Sequence, residues 1–118
     1  MTANEFRRIA LGHEGVVEGA HMRHPDFRLK GKIFATLNED QTRGMVALTP
    51  AQQAEVLREH PQMFAPASGA WGRQGCTMVE LTAADAEVVG EAMTLAWRGA
   101  AAKATKARAG KSVRARRR

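Results

Sequence analysis

The chain holds a single cysteine, Cys76, so no internal disulfide can form. That suits a reducing compartment, and the cytoplasm is the expected location. Tyrosine is absent, and four Phe and two Trp are the only large aromatics, which leaves Leu, Val, Ile, Met and Ala to fill a core. No apolar run approaches the roughly 18 residues that a bilayer-crossing helix needs, so no membrane span is expected. The opening "MTANEFRRIALG" has glutamate and arginine where a secretory leader would need an unbroken apolar stretch. Acid is missing altogether from residues 98–118, which carry nine Lys/Arg, whereas residues 1–97 carry nine Lys/Arg and twelve Asp/Glu, a balance of −3. The net charge of +6 therefore belongs to the C-terminal segment, and the body is mildly acidic.

What is present fits one small domain. At 118 residues with 44% apolar content, there is room for one core and enough apolar material to form it. The expected division is an α+β domain over 1–97 and a basic Ala/Lys/Arg-rich tail over 98–118, partly helical or disordered. Three stretches open with helix-start chemistry: Thr2 with Glu5, Thr49 with Pro50 and Gln52, and Thr82 with Asp85. Apolar spacing then predicts a helix through Phe6, Ile9 and Ala10 to about Gly12. A second passes through Ala54, Leu57 and Arg58 and stops near Pro61. A third follows Val88, Val89, Ala92, Leu95 and Ala96, with alanine and lysine allowing it to reach Gly110. Beyond Gly110 a frayed, solvated end is expected.

Between the first two helices the pattern becomes that of strands. "VVEGAHM" is short and glycine-broken, and "DFRLKGKIFATL" reads as a hairpin whose Gly31 supplies the positive φ of a tight turn. Phe27 and Leu29 share one face of its first strand, Arg28 and Lys30 the other. "NEDQTRG" is a polar turn, "MVALT" a strand, and "PQMFAPASGAWGRQG" a long connection. "CTMVELT" alternates, with Thr77, Val79 and Leu81 on one side. The expected architecture is a two-layer α+β fold, an antiparallel sheet with helices packed on one face. Its order is helix, three or four strands, helix, one or two strands, helix.

Candidate chemistry is thin. His21 and His24 are spaced as H-x-x-H, with His13, His60 and Cys76 elsewhere, but zinc needs three or four convergent ligands and one loose pair offers two. "HPD" also occurs in J-domain co-chaperones between helices. Here it precedes a strand, so Pro25 is expected to hold His24 extended while Asp26 bonds nearby backbone donors. Cys76 has no partner base and reads as a small buried hydrophobe. "AGKS" lacks the glycine a phosphate loop needs, since Thr105 stands there. No cofactor, metal site or catalytic set is expected, and the protein is not expected to be an enzyme.

Five separated motifs in order resemble the YjbR/MmcQ family of small bacterial proteins: "FRRIAL" (Phe6 to Leu11), His24 to Phe27, Gly31 to Ala35, Leu48 to Pro50, and Trp71 to Gly75. The resemblance covers about residues 4–98. It implies a two-layer α+β fold related in shape to bacterial secretion chaperones, and a DNA-binding role described as a double-wing motif. No catalytic residues come with it. Cys76 departs from the pattern, in which an aromatic is more usual, and the basic tail is an addition.

Two functions follow as expectations. The first is non-catalytic, largely sequence-independent binding of DNA or another polyanion such as an anionic membrane surface. Its contacts are expected from Arg23, Arg28, Lys30, Lys32, Arg43, Trp71 and Arg73 in the body. In the tail they are expected from Lys103, Lys106, Arg108, Lys111, Arg114, Arg116, Arg117 and Arg118. The second is a protein-interaction or chaperone-like module that receives a partner on the sheet face or the Trp71 loop. Trp71 itself is expected mainly to plug the end of the core, because large aromatics are mostly buried. An exposed ring that stacks on a base is the alternative. Clustering of the body's cations on one face favours the first function, and an apolar groove beside Trp71 the second.

Overall fold

The structure, a computed structural model, describes the backbone of residues 1–116 and the side chains of residues 1–105. Helix α1 (Ala3–Leu11) leads into a meander of β1 (Val16–His21), β2 (His24–Leu29), β3 (Lys32–Leu37) and β4 (Arg43–Ala47). Then come α2 (Pro50–Glu59), β5 (Phe64–Pro66), α3 (Gly69–Arg73), β6 (Cys76–Glu80), a single 3-10 turn at Leu81–Ala83, and α4 (Ala86–Arg116). The six strands form one antiparallel sheet in the order β1-β2-β3-β4-β6-β5. The α+β class and the order of elements are as the sequence predicts.

Local chemistry sets the first two helix starts. The Thr2 hydroxyl accepts from the Glu5 amide while Glu5 reaches back to the Thr2 amide, and Thr49 and Gln52 repeat the exchange beside Pro50. The last helix starts later than expected. Thr82 lies in the 3-10 turn, and Asp85 Oδ1 caps α4 by accepting from the amides of Glu87 and Val88. On α2 the inward side is Gln53, Val56 and Leu57, with Ala54 and Arg58 exposed, which shifts the expected face. Helix α4 continues past Gly110 to Arg116. A mid-helix glycine costs only about 1 kcal/mol there.

The core lies between the sheet and the α1/α4 pair. Phe27, Ala35, Val46 and Thr77 stand in register across four strands and are buried under Phe6, Ala10, Val89, Met93 and Ala96. Ala100 is buried as well, so the packed body runs beyond residue 97. Two polar ties fix the helices to each other and to the chain between them. The His13 ring bridges the Ile9 carbonyl and the Thr94 hydroxyl, and Trp97 Nε1 donates to the Glu14 carbonyl.

Most of the expected long connection is ordered. Phe64 pairs with Val79 and inserts its ring into the core, making β5 an edge strand that ends at Pro66. The α3 turn is closed by Gln53, whose Nε2 donates to the carbonyls of Gly72 and Cys76.

One turn is built without the residues it calls for. Met22 and Arg23 connect β1 to β2 as a two-residue hairpin loop and both have positive φ, 48° and 67°. Asn-Gly is the pair this loop favours. Replacing Met22-Arg23 by Asn-Gly is expected to stabilise the protein by about 1 kcal/mol. A raised denaturant midpoint at unchanged m-value would show it, and an unchanged midpoint would refute it. That variant also removes the Arg23–Glu39 ion pair, which at 3.4 Å and in solvent contributes little.

Candidate functional site

The β2–β3 hairpin, which carries Arg28, Lys30 and Lys32 of the expected contacts, is well formed. Leu29 pairs with Lys32 across Lys30-Gly31, both at positive φ (50° and 81°). Lys30 therefore shares the constraint that the sequence assigns to Gly31 alone. A bulge at Phe27/Arg28 shifts the register, so Arg28 faces Ile33 on the outer side while Phe27 and Leu29 enter the core.

Arg28 is not free on that face. Asp26 is fully buried beside it, with Oδ1 accepting from Arg28 Nε at 2.6 Å and Oδ2 from Arg28 Nη2 at 3.0 Å. His21 Nδ1 donates to Oδ2 at 2.7 Å. The Arg28 hydrogen bonds hold the Asp26 carboxyl below the ordinary carboxylate range. Burial opposes that shift, and His21 adds to it. Asp26 in turn raises the pKa of Arg28. The expected bonding of Asp26 to backbone donors is thus replaced by two side-chain partners, because its side chain points across the strand pair rather than along the turn.

Other expected contacts are matched with acids too. Arg43 meets Glu80 at 3.0 Å as a cross-strand pair, and Arg23 meets Glu39. Lys30, Lys32, Arg73 and Lys103 are exposed and have no acidic partner among the described residues. Half of the body's six singled-out cations are thus compensated by acids and half are not. The side chains of Lys106, Arg108, Lys111, Arg114 and Arg116, and all of Arg117 and Arg118, lie outside the described residues.

Two hollows take up Lys32, Lys103 and Trp71, whereas Lys30 and Arg73 line neither. The smaller, about 440 Å³, lies where the start of β3, the start of α2 and α4 meet. Lys32, Arg98 and Lys103 line it with Ile33, Leu95 and Thr49, and no Asp or Glu does. Arg98 is not among the residues the sequence singles out. Its five-residue spacing from Lys103 carries no signal, because both cations meet Lys32 only through the packing of α4 on β3.

The larger hollow, about 660 Å³, lies on the outer face of the sheet beside Trp71. Gly19, Asp26, Thr36, Met45, Met78 and Ala65 form one row across all six strands, and Thr36 to Ala65 floor the hollow. Trp71 is 69% exposed at its rim. The expected plug is overturned: it is Gly72, pressed against the Ala67 carbonyl, that faces inward, leaving the indole on the outer side of α3. The burial of Cys76 in the lining pushes its thiol pKa up. No three His, Cys, Asp or Glu side chains converge on a metal-binding geometry among the described residues.

Fold and surface together define a small two-layer α+β protein with an open antiparallel sheet and a long C-terminal helix. The chain belongs to the YjbR family, whose model matches residues 11–99. No curated protein matches it. Its fold is similar to the crystal structure of Deinococcus radiodurans protein DR2400, which carries the family domain DUF419. The TM-score is 0.69 at 20% identity, over 81% of this chain and 75% of that one. At that identity the likeness concerns the fold alone. Among the described residues, no helix is long and apolar enough to cross a membrane.

Proposed function

We propose that the protein binds DNA as a polyanion, without catalysis and largely without sequence preference, from the end where the β2–β3 hairpin meets α4. One observation carries the reading. Lys32, Arg98 and Lys103 surround an acid-free hollow at the root of a segment, 98–118, that holds nine Lys/Arg and no acid. Phosphates are the groups such a surface can neutralise, and phosphate contacts position a duplex without reading its bases. Arg23, Arg28 and Arg43 play no part in this reading, since each already has an acidic partner. The free, half-buried thiol of Cys76 suits a reducing interior and supports a cytoplasmic setting for this activity.

The test is salt-dependent binding of duplex DNA by the full chain and by a Lys32→Gln, Arg98→Gln, Lys103→Gln variant. Affinity is expected to fall with a log–log salt slope of roughly 0.9 per neutralised phosphate, and the variant's slope to be shallower by roughly 0.9 for each phosphate it leaves unneutralised. Arg43→Gln should leave the slope unchanged. An unaltered slope in the triple variant would sink the proposal for the folded body, and one equally reduced by Arg43→Gln would misplace the interface.

A further inference from the structure

The hollow on the outer sheet face differs in chemistry from the cationic one. Its charged lining, Arg43 and Glu80, is already matched at 3.0 Å, so a charged ligand gains little there. Its floor and walls are Met45, Met63, Met78, Pro66 and the exposed indole of Trp71. Methionine thioethers adapt to flat rings and make favourable sulfur–aromatic contacts, and an exposed indole offers a stacking face. Gln53 ties the C-terminal end of α3 to the start of β6 through the Gly72 and Cys76 carbonyls, so the indole stands on an anchored support. Four polar side chains in the lining, Thr36, His24, Gln62 and Ser68, have no hydrogen-bond partner among the described residues, and of these Thr36 and His24 belong to the central strands β3 and β2. The volume of about 660 Å³ falls within the usual range for small-ligand sites, roughly 300–1,000 Å³.

We propose that this hollow binds a neutral planar heteroaromatic ring, the chemical class of a nucleobase, against Trp71 and the methionine floor, with Thr36 and His24 as hydrogen-bonding partners. The ring could come from a free nucleoside or from an unstacked base of a single strand. A duplex presents no free ring face, so this site is independent of the phosphate contacts proposed above and stands whether or not they exist.

Equilibrium dialysis of the full chain against adenosine, and anisotropy with labelled oligodeoxyadenylate, separate the sources. Both are run at high salt, where phosphate contacts are suppressed. Saturable adenosine binding that weakens roughly tenfold or more in Trp71→Leu and in Met78→Lys supports the free-ring source. Oligodeoxyadenylate binding without adenosine binding, weakened by the same variants, supports the single-strand source. Melting temperatures within a few degrees of the parent confirm that both variants fold. If neither probe binds, or if the variants bind as well as the parent, the site is refuted. Duplex binding at low salt is read in parallel, so failure of the cationic interface is not mistaken for failure of this one.

Discussion

Gly75→Ala is expected to remove about 4 kcal/mol of stability, a large share of the 5–15 kcal/mol typical of a small domain. Two effects combine. Gly75 has φ +113°, a region that side-chain-bearing residues occupy only under strain of about 1–3 kcal/mol. A Cβ there would also overlap the Leu48 carbonyl, which belongs to the backbone between β4 and α2 and has no rotamer through which to yield. Gly31→Ala is the control. It too has positive φ (81°), but nothing lies within 4 Å of its would-be Cβ, so strain acts alone and about 1 kcal/mol is expected. Urea denaturation of both variants reads the difference. Equal losses would mean that the close approach of Gly75 to Leu48 does not constrain the fold.

The same close approach shows why part of the fold was legible in the sequence and part was not. The capping boxes at Thr2 and Thr49 involve atoms three residues apart, so spacing alone reveals them. The β2–β3 hairpin needs only a glycine and alternation, and Thr77, Val79 and Leu81 alternate inward as their pattern predicts. Strand β5 and helix α3 are different. Phe64 becomes a strand residue because Val79 is there to pair with it, and α3 closes because Gln53 reaches its carbonyls from another helix. Neither cause is visible within "PQMFAPASGAWGRQG". The Thr82 start is local and still misleads, since Asp85 offers a competing cap with a stronger acceptor.

The candidate sites follow the same division. That residues 98–118 are cationic can be read directly by counting. That Arg43 is matched by Glu80, 37 residues away, requires the β4–β6 register, and that Lys32 faces Arg98 requires α4 to lie on β3. Composition therefore locates the charge but not its compensation. Of the seven body residues singled out, Lys30, Lys32, Trp71 and Arg73 remain exposed with no acidic partner among the described residues, and of the three arginines matched by acids only Arg28 has a buried partner, Asp26, which gives it a structural role.

Asp26→Asn tests the structural role directly, and it is expected to cost about 2 kcal/mol at neutral pH. The carboxylate accepts two hydrogen bonds from Arg28 and one from His21, and hydrogen bonds to a charged partner contribute roughly 1.5–3 kcal/mol each when deleted one at a time. Asparagine keeps the shape but presents an NH₂ group where Arg28 or His21 already points a donor. The cost should be smaller than a sum of three bonds, because Arg28 is 40% exposed and water can take up its freed donors. The pH dependence gives the sign. Asp26 titrates below the ordinary carboxylate range when folded, so its contribution is fully present above about pH 4, the unfolded value, and disappears as pH falls through the lower folded value. The stability gap between parent and Asp26→Asn should be constant from pH 5 to neutrality, as far as this group is concerned. It should then close on further acidification. A gap that persists unchanged in acid would show that Asp26 acts through packing, and Arg28 would then be available to the polyanion surface after all.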